Sequence, residues 1–410
     1  MAAVPLRRNR DFMLLQIGQL LSSFGSAMST VAYPLLVLAV TGSAAKAGYV
    51  SATILVPLLA FGLPAGVVAD RVDRKGVMIA SDAVGAASLA TLAAVVLAHE
   101  TRFWIILVVA FMDSTAGVFY RAGQSGAFRG VVPSEQIPAA SSLVMARRSA
   151  VGLTAPPVGG ALFAVGRAFP FLADAISYAF STAAALLMQT PFQEERTRER
   201  VTLRSEVSEG ITFFFRIGFL RTTLSLVSLS NLTIAGMQLT VIVLAKRHGL
   251  SSAAIGGFVA LIGATTLLGS MASPLLRRWL PMRTILLSEY WAALVYVLFL
   301  VWPNVYVLAG SLAAQAFWFP NTDAAVAAYQ YALIPDRLLG RALAVSNTLR
   351  VAAAPLGPLA AGLLLGSVSP RLTVALLAGV TVVAAAVGTL SPSMRTAPPL
   401  GPARAAPDRA

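Results

Sequence analysis

The chain has 410 residues, of which 57% are hydrophobic and 12% charged, too few charges to cover a soluble globular surface, where roughly a quarter of residues are charged. The longest polar interval runs only from Gln193 to Glu209, which excludes a sizeable soluble catalytic domain. With no cysteine, two histidines (His99 and His248), no Ser/His/Asp arrangement and no glycine-rich phosphate loop ending in Lys, the chain is read as a non-enzyme without metal site, cofactor or ATP site. The net charge of +14 would suggest nucleic acid in a soluble protein; in a chain this apolar it is read as topology, and no nucleic-acid partner is expected.

The basic N-terminus, Met1 to Arg10, leads into a long span with no small-residue cleavage site before Gln16 and Gln19, so the first helix is expected to remain in the mature protein. Apolar runs between charge clusters predict helices near 12–39, 48–69, 76–98, 103–128, 140–164 and 171–190, then near 222–245, 253–276, 283–302, 304–331, 339–366 and 370–391. A span needs about 20 apolar residues, so twelve spans fit this length with little to spare. The expected fold is an all-α polytopic membrane protein of twelve transmembrane helices in two pseudo-symmetric six-helix halves. Its divisions are residues 1–192, a cytoplasmic linker at 193–220, a second half at 221–391 and a disordered cytoplasmic tail at 392–410. In the linker Leu203, Val207, Ile211 and Phe214 fall on one helical face, the pattern of a helix lying along the membrane surface.

Basic residues set the orientation. With a cytoplasmic N-terminus the external loops hold Lys46, Arg102, Arg167, Lys246, Arg247 and Arg371; Arg121, Arg147, Arg148 and Arg350 fall within spans, and the rest of the 31 Lys and Arg lie on the cytoplasmic side. The positive-inside rule therefore places both termini in the cytoplasm of a multi-pass protein of the cell (inner) membrane.

An internal repeat accompanies the two sets of six. At an offset of 202 residues Pro133, Ala140, Arg148, Ala150, Pro156 and Gly160 match Pro335, Ala342, Arg350, Ala352, Pro358 and Gly362; at 203, Gly66, Ala69, Arg74 and Lys75 match Gly269, Ala272, Arg277 and Arg278. Two halves of the same orientation imply a substrate path between them.

Two motifs stand out. In the first, Gly66 to Lys75, Gly66 permits close helix approach, Asp70 suits the positive end of a helix from the other half, and Arg71, Arg74 and Lys75 anchor the loop. The stretch resembles the loop between helices two and three of the major facilitator superfamily, with Asp73 where that loop commonly has Gly, and the resemblance implies a latch holding the outward-facing state. The second, Gly152 to Gly160 with Pro156, Pro157 and Gly159, is similar to the helix-five Gly-Pro and Gly-Gly motif of the superfamily's antiporters; Gly357 and Pro358 form its second-half copy. Together with Gln19, Ser22, Ser23, Gly25, Ser26, Pro133 and Glu135, these motifs make the chain resemble the branch that contains the enterobactin exporter and macrolide efflux proteins. That resemblance implies a secondary transporter exporting an amphipathic small molecule (drug, siderophore or secondary metabolite) by proton antiport and alternating access, acting as a monomer in the bilayer.

Charges within spans are costly unless paired or wetted, which makes each a functional candidate. The acidic ones are Asp82, Asp113, Asp174, Glu289 and Asp323. Asp113 lies nearest the middle of its span and is the first proton-carrier candidate, followed by Asp323 and Glu289. The repeat mates Arg148 and Arg350 are read as gate residues. Arg121 with Gln124 resembles the superfamily's helix-four arginine motif. The cavity wall is expected to include Gln16, Gln19, Tyr33, Phe119, Asn231, Gln238, Gln315, Trp318 and Asn321, an apolar lining with a few polar anchors. Import of a nutrient or lysophospholipid, and a non-transporting membrane sensor, are the alternatives left open by the residues.

Overall fold

The computed structural model describes residues 6–189 and 211–395. Among them twelve long helical segments follow one another: α1 (Arg10–Thr41), α2 (Ala44–Arg71), α3 (Arg74–Leu97), α4 (Phe103–Val131), α5 (Ile137–Val165), α6 (Phe169–Leu187), α7 (Gly218–Arg247), α8 (Ser252–Trp279), α9 (Met282–Val301), α10 (Val305–Leu333), α11 in two pieces (Asp336–Val351 and Leu356–Ser367) and α12 (Pro370–Leu390). No strand occurs among the described residues. Ten segments are long and apolar enough to cross a membrane, and the protein is a multi-pass membrane protein. The two that fall short in composition, α5 and α10, are each 29 residues long, about 43 Å against a hydrocarbon layer of about 30 Å. They carry the polar side chains Arg147, Arg148, Gln315, Asn321 and Asp323. Every boundary lies within four residues of the sequence expectation.

Local chemistry explains where the helices start. Asn9 accepts from the Phe12 amide at α1, Ser43 from Lys46 at α2, Ser251 from Ala254 at α8 and Ser369 from Leu372 at α12. Each such cap contributes about 1 kcal/mol by satisfying an orphan amide. Gly42, in the left-handed conformation (φ 65°), closes α1 through its amide on the Leu38 carbonyl. Prolines inside α1, α2, α8 and α10 leave those helices continuous.

Two helices of the second half are interrupted. In α9 the chain tightens into a 3-10 stretch at Ala293–Tyr296, one turn after Glu289. In α11 it breaks between Val351 and Leu356, ahead of Pro355 and Pro358. Side chains of α7 satisfy backbone groups at the break: Ser228 Oγ accepts from the Ala353 amide at 3.1 Å, and Asn231 Nδ2 donates to the Arg350 carbonyl at 3.1 Å.

The halves meet unequally at the two ends of the bundle. The end bearing the α1–α2, α5–α6, α7–α8 and α11–α12 turns is called the distal face, and the end bearing the N-terminus of α1 the terminal face. At the distal face one apolar cluster runs through both halves, with Leu35, Leu36, Ala47 and Val50 from the first and Ile242, Ile255, Ala361 and Leu365 from the second. At the terminal face the core is split. Phe12, Met78, Tyr120, Val131 and Met188 form a cluster wholly in the first half; Phe219, Tyr290, Tyr329 and Leu338 form another wholly in the second.

Small residues make the distal contact possible. A Cβ on Gly48 would collide with the Pro358 carbonyl and with Gly362, one on Gly160 with the Ser252 carbonyl, and one on Gly256 with the Pro156 carbonyl. These are backbone obstacles, which cannot swing aside. The Gly-Pro and Gly-Gly motif is therefore a close helix contact across the halves, between α5 and α8 and again between α2 and α11. Gly159 instead packs on Met28 of α1, Gly357 on the Leu232 carbonyl of α7, and Gly152 presents its carbonyl to Gly263 of α8 while its own Cβ position is open.

Of the amphipathic linker stripe, Leu203 and Val207 lie outside the described residues. Ile211 is exposed, whereas Phe214 is buried in the terminal-face cluster of the second half. Residues 392–395, expected as the start of a disordered tail, form a short helix, and Met394 is buried against Thr223, whose hydroxyl lies 3.6 Å from its sulfur.

Gly48→Val is expected to destabilise the protein by about 1–3 kcal/mol through overpacking against backbone. Thermal unfolding in detergent should show the loss, and maleimide labelling of an Ala44→Cys reporter should rise as the distal contact loosens.

Candidate functional site

The site candidates fall into two buried polar clusters, one in each half, on either side of the space between α1, α2, α7 and α11. In the first half Asp113 of α4 is 7% exposed and accepts hydrogen bonds from Tyr178 Oη of α6 at 2.9 Å and Tyr33 Oη of α1 at 3.1 Å. Asp174 of α6, fully buried, accepts from Ser29 at 2.6 Å and from Ser177 at 3.2 Å. Asp82 of α3 is fully buried as well, beside Ser181 of α6. These carboxylates face hydroxyl groups, with no cation at ion-pair distance among the described residues.

A chain of hydroxyls leads outward from Asp113. Ser26 and Tyr178 share a hydrogen bond of 3.3 Å; Ser26 is half-buried, and its carbonyl accepts from Thr30 at 2.8 Å. Thr30 lines a cavity of about 110 Å³ between the halves, with Pro34, Ser51, Gln238 and Pro358 among its walls. Asp113 is thus linked through the Tyr178 and Ser26 hydroxyls to a residue whose carbonyl holds Thr30 at the inter-half cavity, three hydrogen bonds in all, the last of them to backbone.

The second half is built differently. Glu289 of α9, 2% exposed, accepts from Ser230 of α7. Asp323 of α10 is ion-paired with Arg350 at the end of the first piece of α11, the side chains 39% and 15% exposed respectively. Asp323, expected as a proton-carrier candidate, is committed to a cation in this state.

The latch of the loop after α2 is not closed. Asp70 lies exposed and pairs with Arg74, four residues on, at 2.9 Å, instead of meeting a helix end of the other half. Gly66 has open space around its Cβ position, so it makes no close helix contact. At this face the cores of the two halves are separate, and among the described residues no hydrogen bond or ion pair joins Asp70 to the second half. The contacts described for the loop's charged residues lie within the first half. Asp73 caps α3, accepting from the Lys75 and Gly76 amides at 3.3 and 2.8 Å, and Lys75 donates to the Leu186 and Met188 carbonyls at the end of α6 at 3.1 and 2.9 Å. Arg74 lies over Gly126 of α4, and Arg71 is exposed.

Several expected wall residues are interior. Tyr33 is buried on Asp113; Gln315 is fully buried and accepts from Tyr296 at 2.7 Å; Asn321 ties α10 to the Gly269 carbonyl of α8 at 3.1 Å; Gln19 is buried with neither polar atom bonded among the described residues. Phe119 packs at a tilt against Phe61 of α2 with ring centroids 6.2 Å apart, and Trp318 meets Phe317 edge to face at 5.4 Å. Gln238 lines the inter-half cavity, Gln16 accepts from Arg147 at 2.9 Å, and Asn231 serves the α11 break. Sequence pattern does not single out the hydroxyls Ser26, Ser29, Ser177, Tyr178 and Ser230 as site residues. Asp174, Ser177, Tyr178 and Ser181 recur on one face of α6, and that polar stripe is the signal that points to them.

An all-helical membrane bundle in two repeated halves, closed at one face and carrying buried carboxylates beside the inter-half space, is a transporter of the major facilitator superfamily. Within it the chain belongs to the transmembrane secretion effector family, whose model matches residues 2–398. It is 27% identical over 376 residues to the multidrug efflux pump Tap of Mycobacterium tuberculosis, covering 85% of each chain. Over 154 residues, 38% of each chain, it is 29% identical to macrolide efflux protein A of Streptococcus pyogenes. Among solved structures its fold is similar to the nucleoside transporter NupG, with a TM-score of 0.71 at 15% identity over 95% of this chain and 99% of that one. A bacterial homologue of the iron transporter ferroportin gives 0.72 at 16% identity over 94% and 98%. The protein is a membrane transporter of this superfamily and not an enzyme.

Asp323→Asn is expected to cost about 1 kcal/mol, the partly exposed pair being screened by solvent. The double exchange Asp323→Arg with Arg350→Asp should recover most of the loss in a thermal unfolding series, whereas each single reversal should not.

Proposed function

We propose that the protein exports an amphipathic small molecule in exchange for protons, by rocking of its two halves about the inter-half space. Its termini face the cytoplasm of the cell membrane, so the face at which the two cores are separate takes substrate from the cytoplasm or inner leaflet. The observation that carries the coupling is the hydroxyl chain from the inter-half space to the buried Asp113 carboxylate. A carboxylate held only by neutral donors exists in two protonation states whose cost depends on solvation, and access through Ser26 and Tyr178 changes when the halves move. The relatives named as multidrug and macrolide efflux proteins support the direction and the breadth of substrate.

In the cycle, substrate enters the open face while Asp113 is deprotonated, the distal glycine contacts part, and protonation of Asp113 from outside accompanies release. Asp70 and Arg71 are the latch residues of the opposite state, in which the terminal ends approach and Asp70 exchanges Arg74 for a helix terminus of the second half. The Asp323–Arg350 pair beside the α11 interruption makes the second half the gate, and Glu289, buried and held by the Ser230 hydroxyl, stays a second proton-coupling candidate. The protein works as a monomer, since substrate path and carboxylates all lie within one chain.

Asp113→Asn removes the titrating group and keeps its shape. In proteoliposomes this variant should lose pH-gradient-driven transport to the level of empty vesicles while retaining substrate counterflow without a gradient. Undiminished gradient-driven transport would take Asp113 out of the mechanism.

A further inference from the structure

The 202-residue repeat places Arg121 where the second half has Asp323, and Arg148 where it has Arg350. Depth agrees with register, because Arg121 and Asp323 each lie eighteen residues beyond the first residue of their 29-residue helices. In the second half these two positions hold an ion pair across α7, whose Asn231 bonds the Arg350 carbonyl. The first half keeps the arginine and replaces the acid by a second arginine.

Arg147, next to Arg148, is fixed on α1 by donating to Gln16 Oε1 at 2.9 Å. Arg121 and Arg148 are exposed where the halves are apart, and the charge of Arg148 reaches both Arg121 and Arg147. Among the described residues none of the three is within ion-pair distance of a carboxylate. Asp113 is the acidic side chain whose field reaches Arg121, but its two oxygens are taken by Tyr33 and Tyr178. Anchoring to the membrane surface does not account for these cations. Arg121 stands ten residues inside the terminal end of α4, about 15 Å along the helix. Like charges gathered at that depth are retained where an anion joins them.

We infer that Arg121 and Arg148, with Arg147 held in place by Gln16, form a recognition site for the anionic head of an amphiphile, a carboxylate, sulfonate or phosphate, entering from the open terminal face. Two guanidinium groups present planar forks that suit these oxyanions, and the ligand's head supplies the negative charge that Asp323 supplies in the other half. This deepens the exporter reading and rests on it: the substrate class becomes amphiphiles with an acidic head and an apolar body.

Two rhodamines sharing one ring system test the site: anionic sulforhodamine B and cationic rhodamine 6G, bound to the full-length protein in zwitterionic nanodiscs and followed by fluorescence anisotropy. The wild type is expected to bind the anionic dye. Arg121→Asp rebuilds the second half's ion pair in the first, so it should fold, as its unfolding transition will report, and weaken the anionic dye relative to the cationic one at least tenfold. Arg148→Gln should shift the ratio the same way. Adding phosphatidylglycerol to the nanodisc distinguishes sources: competition with the dye assigns the site to lipid-borne phosphate, and its absence to a free anionic amphiphile. An unchanged affinity ratio in both folded variants, or a wild type that binds only the cationic dye, overturns the inference. Gradient-driven uptake of rhodamine 6G by the wild type, measured alongside, shows whether the exporter reading survives that failure; absence of binding and uptake of either dye overturns both.

Discussion

A charge or polar group carried into hydrocarbon must find its partner inside the bundle, and each half of this protein answers that constraint in its own way. The first half surrounds Asp113 and Asp174 with hydroxyls from α1 and α6, which stabilise a carboxylate without locking it to a cation. The second half sets Arg350 against Asp323 and gives Glu289 a hydroxyl from Ser230. The partly exposed ion pair ties α10 to α11 by a direct charge contact, whereas a hydroxyl cage rearranges by rotating O–H bonds. Asp113 and, in the second half, Glu289 are thus held by hydroxyl groups, whereas Asp323 is held by a cation.

The same asymmetry runs through the backbone. Helices α1 to α6 are continuous through their prolines, while α9 tightens after Glu289 and α11 breaks after Arg350. Both interruptions stand next to the charged groups of the second half, and α7 supplies the side chains that keep the broken α11 satisfied. Distal closure depends on backbone meeting backbone at Gly48 with Gly362 and at Gly160 with Ser252. Such contacts are strong in sum and have no side chain to cushion them, so a small rotation of one half separates them together.

Helix positions are legible in the sequence because hydrophobic length is the strongest physical constraint on a membrane chain, and the 202-residue repeat announces two halves. The Gly and Pro motif of α5 reads as close packing and packs closely, since small residues at helix spacing leave few other uses. Asp70, by its pattern, suits a partner across the halves, and its actual neighbour is Arg74, because a single sequence does not specify which conformational state the ends adopt. Tyr33, Gln315 and Asn321 are expected on the cavity wall but are buried, since polar residues in a span serve helix-to-helix hydrogen bonds as readily as ligands. The hydroxyl cage is hidden in the sequence because Ser and Tyr are common in membrane helices and acquire meaning only when α1, α4 and α6 are brought side by side.

Coupling of efflux to protons through the first half is the central claim. Proton flux in inverted vesicles containing the wild-type protein tests it most directly, with a pH-sensitive dye reporting the acidified lumen as lipophilic cations, macrolides, siderophores and acidic amphiphiles are added in turn. Substrate-triggered release of protons from the lumen, absent in vesicles without the protein, is the expected result. Substrate accumulation with no accompanying proton movement would contradict it.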